Sequence, residues 1–284
     1  MISKESLENI LGERITGFSS MGGGCIADTQ KIDTDGGLSY IVKQGGASDM
    51  FIKEAAGLKE LAKPAVIRVP KVVAFDNDYL VIEYIDSKGR MPNFFEKFGE
   101  QFALLHKYKG ERFGFDDDNY LGHTPQPNIP RGEEAFSWLQ FYKNKRLIYQ
   151  YELANQNGYV DKKFSSLFNN LIDQLPQILS GSEEEPSLLH GDLWGGNYMT
   201  GERGEPVIID PAVYYGHREA DLAMTKLFGG FTAEFYNSYN KTYPLKDGYE
   251  YREGIYLLYH VLNHLNLFGR GYYSQAISLM QRYS

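Results

Sequence analysis

Leu188 to Asn197 reads LLHGDLWGGN, and a short way downstream Val207 to Gly216 reads VIIDPAVYYG. The first stretch sets a carboxylate, Asp192, five residues before an amide, Asn197, and the second adds another carboxylate, Asp210. Apolar Leu188 and Leu189 lead into the one, and Val207, Ile208 and Ile209 lead into the other. Both runs have the length and composition of short buried strands, which deliver the polar side chains behind them to a cleft. A turn would use Asp192 or Asn197 singly to cap backbone amides. The ordered set of three asks for chemistry.

Moving a phosphoryl group to a hydroxyl needs a carboxylate at the acceptor oxygen and further oxygen ligands that hold Mg²⁺ against the phosphates. Asp192 is placed to orient the hydroxyl and take its proton. Asn197 offers a neutral carbonyl oxygen and Asp210 a charged one, so the pair holds Mg²⁺ without closing its coordination sphere. The spacing is that of a protein-kinase catalytic loop and its metal-binding aspartate.

The 284-residue chain is long enough for one large or two modest domains. A net charge of -8 and a pI near 5.3 argue against nucleic-acid or anionic-membrane binding. The polar start, Met1 to Gly12, is unlike a signal peptide, and no apolar run approaches the roughly 18 residues of a membrane span. One cysteine, Cys25, rules out an internal disulfide and suits a reducing cytoplasm.

Upstream of the loop, residues 4 to 11 read as a helix capped by Ser3. Ile15 to Ser20 and Ile26 to Asp33 read as strands joined at Gly22, Gly23 and Gly24, where backbone amides could approach phosphates, although a plain hairpin turn has the same sequence. Leu38 to Val42 alternates toward Lys43. From Asp49, Phe51, Ala55, Leu58 and Leu61 recur at helical spacing, with Glu54 near the start. A strand lysine and a glutamate on the next helix form the ion pair that positions nucleotide phosphates, which assigns Lys43 and Glu54 that role. Val72 to Phe75 and Leu80 to Tyr84 complete a five-stranded antiparallel sheet. At its end, Glu83 and Ile85 are placed to offer backbone groups to the adenine of ATP.

The remainder reads as mainly helical, from 93 to 107, 137 to 155 and 164 to 179. Residues 110 to 132 are too rich in Gly, Pro and Asn for a helix and too long for an idle connection, so they are expected to be functional or disordered. Asp116, Asp117 and Asp118 read as a solvated turn. Asp221 is expected to cap a helix over 222–228 or to brace the catalytic loop. His260 and His264 have the spacing of a metal pair but lack a third ligand. The stretch from Asp210 to that helix is too short for a peptide-docking activation segment, which favours a small acceptor or a small modification on a protein.

Several strings together resemble the fructosamine kinase, or ketosamine-3-kinase, family: GGGC at Gly22 to Cys25, FG at Phe113, the run from Asn119 to Asn128 ending TPQPN, the Trp138 helix through Arg146-Leu147, HGDLWGGN from His190, and YYGHREADLA from Tyr214. The resemblance spans nearly the whole chain. It implies an α+β, bilobal, protein-kinase-like fold related to aminoglycoside and choline kinases, with a nucleotide-binding lobe over 1–85 and a large, mainly helical lobe over 86–284. It also implies ATP- and Mg²⁺-dependent phosphorylation of the sugar 3-hydroxyl in ketoamines, free or protein-bound. Elimination of the phosphate then releases the amine. On the same grounds Trp194 is a candidate to pack against the sugar or its amine-bearing arm. His217 and Glu219 are weaker substrate-contact candidates, and Cys25 is a candidate redox-responsive thiol able to link two chains. The working form would be a monomer or homodimer. An aminoglycoside- or choline-type kinase fits the loop alone, and a nucleotide-binding regulator without catalysis is a third reading. Intact Asp192, Asn197, Asp210 and Lys43 argue against the last.

Overall fold

The structure, a computed structural model, describes residues 2–21, 28–45 and 49–283. Gly22, Gly23, Gly24 and Cys25 lie outside the described residues. The chain is α+β and groups into two compact units, Met1–Phe94 with Asn197–Pro211, and Phe95–Gly196 with Ala212–Ser284. Chain order alone suggested a single cut after Ile85.

In the first unit, α1 (Lys4–Leu11) starts where the Ser3 side chain accepts from the Ser6 amide, and it ends at Gly12 with φ 70°. Strands β1 (Ile15–Ser20), β2 (Asp28–Thr34) and β3 (Ser39–Gln44) precede α2 (Met50–Ala62), β4 (Val72–Phe75) and β5 (Tyr79–Glu83). They form one antiparallel sheet in the order β1-β2-β3-β5-β4. Alternation along β3 buries Val42 and Gln44 and turns Lys43 to the other face. Phe51, Ala55, Leu58 and Leu61 are buried along one side of α2, which fixes the rotation of that helix and with it the direction of Glu54.

The second unit opens with α3 (Phe94–His106). The stretch from 110 to 132, expected to be functional or disordered, is ordered around a small hairpin of β6 (Asn119–Leu121) and β7 (Thr124–Gln126). Beyond it the single helix expected over 137–155 is divided into α4 (Trp138–Tyr142), a π-helical turn over Lys143–Ile148, and α5 (Tyr149–Gln156). Then come α6 (Lys162–Leu179), β8 (Ser187–Leu189), the hairpin β9 (Tyr198–Thr200) and β10 (Pro206–Ile208) that belongs to the first unit, and β11 (Tyr214–Gly216), which pairs with β8. Helices α7 (Arg218–Leu227), α8 (Ala233–Thr242), α9 (Tyr249–Phe268) and α10 (Tyr273–Gln281) follow. A core that includes Trp138, Phe141, Phe164, Leu171, Tyr256 and Leu262 packs the helices of this unit.

Helix α7 starts four residues earlier than its apolar pattern suggested. The His217 ring accepts from the Glu219 amide at 3.3 Å and supplies the cap that a serine or aspartate usually provides. Among the described residues, no helix is long and apolar enough to cross a membrane.

Candidate active site

Lys43, Glu54 and Asp210 meet in the first unit. The Lys43 ammonium donates to Glu54 Oε1 at 2.6 Å and to Asp210 Oδ1 at 2.5 Å. Burial works against the lysine charge, but Asp210 and Glu54 outweigh it and hold the ammonium well above the ordinary lysine value. Burial pushes the Glu54 carboxyl up against the pull of Lys43. The ammonium therefore stays charged, held between the part-buried Glu54 carboxyl and the half-exposed Asp210 carboxylate.

Backbone pairing brings Asp210 there. The Ile208 amide donates to the Arg68 carbonyl at 3.1 Å, and the Met91 amide donates to the Gly204 carbonyl at 3.1 Å, so the β9–β10 hairpin is tied to the N-terminal unit at both ends. At its open end the Ile209 amide donates to the Asn197 carbonyl at 3.0 Å. The Asn197 side-chain Nδ2 donates to the Asp210 carbonyl at 3.4 Å. The two residues proposed as metal ligands thus share one end of one hairpin. Asp210 has φ 53°, a left-handed conformation that costs an L-residue other than glycine about 1–2 kcal/mol and that aspartate tolerates better than most. Among the described residues no group of three or more His, Cys, Asp and Glu converges as a metal site. An amide and a carboxylate, both hard oxygen donors, fit a magnesium ion that keeps water and phosphate oxygens for its remaining positions.

The loop carrying Asp192 belongs to the second unit and is held from below by Asp221. Its Oδ2 accepts from the His190 amide at 2.6 Å and its Oδ1 from the Gly191 amide at 2.7 Å. His106 adds a contact from Nε2 to Oδ2 at 3.2 Å, while its Nδ1 lies 2.7 Å from the Tyr239 hydroxyl. Burial lowers the His106 pKa, and the hydrogen bonds from His106 and the Gly191 amide lower that of Asp221 against its own burial. The neutral imidazole therefore donates from Nε2 to an ionised Asp221 and accepts from Tyr239 at Nδ1. Gly191 has φ +82°, and a Cβ there would stand 2.0 Å from the Ala212 carbonyl oxygen, so only glycine fits. Asp221 is the loop brace. It lies inside α7 and is not its cap, and the histidine behind it left no signal in the sequence beyond its place near the end of a helix.

Trp194 is 38% exposed, with its ring 5.8 Å from that of Phe228. His217 and Glu219 sit elsewhere: both are buried, His217 contacts the Ser182 carbonyl at 2.7 Å through Nε2, and both Glu219 oxygens accept from Arg252, at 2.8 and 2.6 Å. These partners engage the polar atoms that a substrate would need. In the first unit the Glu83 amide donates to the Lys71 carbonyl at 2.9 Å, and the Glu83 carboxylate accepts from Arg68 at 2.5 Å.

The model of the fructosamine kinase family matches residues 2–284. A protein-ribulosamine 3-kinase of Arabidopsis thaliana, named as chloroplastic, is 41% identical over 279 residues, covering 95% of this chain and 83% of its own length. The crystal structure of a candidate fructosamine-3-kinase from Thermobifida fusca superposes with a TM-score of 0.90 at 30% identity, covering 99% of this chain and 97% of that one. A choline kinase from Streptococcus pneumoniae shares the fold at 18% identity, with a TM-score of 0.64 over 98% of this chain and 97% of its own. With a family match along the described length, the chain belongs to the fructosamine kinase family.

Proposed function

We propose that this protein is an ATP-dependent phosphotransferase acting on the sugar 3-hydroxyl of ketoamines, free or carried on protein lysines. The observation that carries this reading is the meeting of Lys43 with Glu54 and Asp210, with Asn197 on the same hairpin. Lys43 is the group that orients the nucleotide phosphates, with Glu54 fixing its direction. Magnesium, when bound by Asn197 and Asp210, supplies positive charge to the phosphate oxygens. Asp192 orients the acceptor hydroxyl and takes its proton, on a loop that Asp221 keeps in one conformation. Trp194 presents an indole face to the sugar or to its amine-bearing arm.

The Glu83 carbonyl and the Ile85 amide are the backbone groups for the adenine, since the Glu83 amide is already engaged. Gly22, Gly23 and Gly24 would lend amides to the phosphates. Cys25 beside them is the redox-responsive thiol of this reading, and Cys25→Ala removes peroxide sensitivity if that holds. His217 and Glu219 are left out of the substrate surface because their buried partners account for them. A cytoplasmic setting and a monomeric or homodimeric form complete the reading, and the single cysteine supports the former.

The test is ATP consumption over ribulose-, erythrulose- and fructose-derived lysine adducts, with kanamycin and choline alongside. Turnover of a ketoamine, abolished in Asp192→Asn, is the expected result. Turnover of kanamycin or choline alone would transfer the assignment to those kinases.

A further inference from the structure

Arg146 is fully buried, and among the described residues it has no carboxylate partner. The other buried guanidinium groups are paired, Arg218 with Glu184 and Arg252 with Glu219. Arg146 instead lies over the Tyr214 ring at 4.1 Å and the Phe141 ring at 4.9 Å, and its Nε has no hydrogen-bond partner. A buried, unpaired charge is costly, and an apolar residue of similar volume is often the more stable choice. The cation therefore needs a reason to be there.

The reason is directional. Arg146 donates from Nη1 to the Pro127 carbonyl at 2.6 Å and from Nη2 to Asn128 Oδ1 at 2.6 Å. A guanidinium only donates, so the second bond decides which end of the Asn128 amide faces it. Asn128 Nδ2 then donates to Asn119 Oδ1 at 2.8 Å, which leaves Asn119 Nδ2 to donate to the Val213 carbonyl at 2.8 Å. Gln126 Nε2 donates to the same Asn119 Oδ1 at 2.8 Å and to the Ala212 carbonyl at 3.1 Å. The Tyr259 hydroxyl holds Gln126 Oε1 at 2.7 Å.

From Arg146 through Asn128 and Asn119 the donors run one way, to the Val213 carbonyl, and Gln126 joins at Asn119 Oδ1 and holds the Ala212 carbonyl. The backbone of 212 and 213 holds the catalytic loop: the Ala212 amide donates to the His190 carbonyl at 2.9 Å, and the Ala212 carbonyl lies where a Gly191 Cβ would collide with it. Asp192 is the next residue. Burial raises the pKa of the Tyr259 hydroxyl, and the charges of Arg146 and Asp192 act on it with opposite sign, so the relay and the base share one electrostatic neighbourhood.

We infer that Arg146 is a positioning residue for Asp192, acting by setting the donor direction of the Asn128–Asn119–Gln126 relay that clamps the Ala212 and Val213 carbonyls. This rests on the phosphotransferase reading of Asp192. Arg146 touches neither substrate nor nucleotide in this role. Its effect is on how the base is held, and so on kcat more than on nucleotide binding.

The decisive variant is Asn128→Asp. It keeps the shape and gives Arg146 a carboxylate, but it removes the donor on which Asn119 depends. A packing role predicts silence. The relay predicts kcat at least tenfold below wild type, with the KM for ATP unchanged and the melting temperature at or above that of wild type. Should Asn128→Asp fail to fold, Gln126→Glu, which sets an acceptor against the Ala212 carbonyl, is read in the same way. Tyr259→Phe, which leaves the bonds from Arg146 intact, is expected to lose less. Wild type and Asp192→Asn are assayed in parallel on the same ketoamine. If wild type is inactive, the phosphotransferase reading fails. If wild type is active and the folded Asn128→Asp or Gln126→Glu protein keeps kcat within twofold, or loses kcat only in proportion to folded fraction, this inference fails.

Discussion

Lys43 and Asp210, 167 residues apart in the chain, are joined by a 2.5 Å contact between the ammonium and one carboxylate oxygen. The lysine comes from a sheet strand and the aspartate from a hairpin late in the sequence, and backbone bonds to Arg68 and Met91 keep them in one unit. Lys43→Met and Asp210→Asn are each expected to lower kcat/KM by about 10²–10³-fold, the usual loss when one charged group at a phosphoryl site is removed. Circular dichroism checks that the fold survives. A drop under fivefold in both would remove Lys43 and Asp210 from the chemistry.

Asp221→Asn leaves one acceptor for two backbone amides and turns an NH₂ toward the other. Loss of the buried charge-assisted bonds should cost about 3 kcal/mol in denaturant unfolding and lower kcat as the loop loosens. Unchanged stability would mean that the His190 and Gly191 amides find other partners.

Acid should weaken the fold through its histidines. Burial lowers the pKa of His106, His217 and His260, the last pushed down to about 3. Unfolded histidine takes a proton near pH 6.5, so below that value the unfolded chain binds protons that the folded one refuses. The stabilisation is fully present above pH 6.5 and is lost as pH falls toward the folded pKa, at up to about 1.4 kcal/mol per pH unit for each histidine. His260, whose Nδ1 has no partner, isolates the effect. His260→Gln should flatten the loss between pH 6.5 and 5 by about 2 kcal/mol, measured by urea unfolding at each pH. An equally steep loss in the variant would contradict this account.

Trp194→Ala should raise the KM for a ketoamine about tenfold, the effect of losing roughly 1.4 kcal/mol of aromatic contact, and leave the KM for ATP unchanged. Equal shifts in both constants would make Trp194 a packing anchor for the loop.

The sheet, α1 and α2 were legible because alternation, helical spacing and the Ser3 cap are local signals, and the Lys43–Glu54 pair followed from them. Sequence marks the hairpin over 197–211 as a carrier of metal ligands, but its attachment within the N-terminal unit depends on backbone bonds to Arg68 and Met91, which no side-chain pattern announces. Helix α8 has no sequence signature because only Phe235 and Tyr239 along it are buried, too few for a periodic stripe. The role of 119–128 was hidden for a related reason. Asn119, Gln126 and Asn128 look like loop residues by composition, and burial reverses their meaning.

The π-helical turn over Lys143–Ile148 holds Arg146. Such a turn carries one residue more than regular winding needs. Deleting Asn144 would let the segment relax into an unbroken α-helix and move Arg146 off the wide turn that now holds it. Smoother local geometry would then come at the expense of the relay, which makes this irregular coil a place where a shorter, tidier homologue would be a slower catalyst.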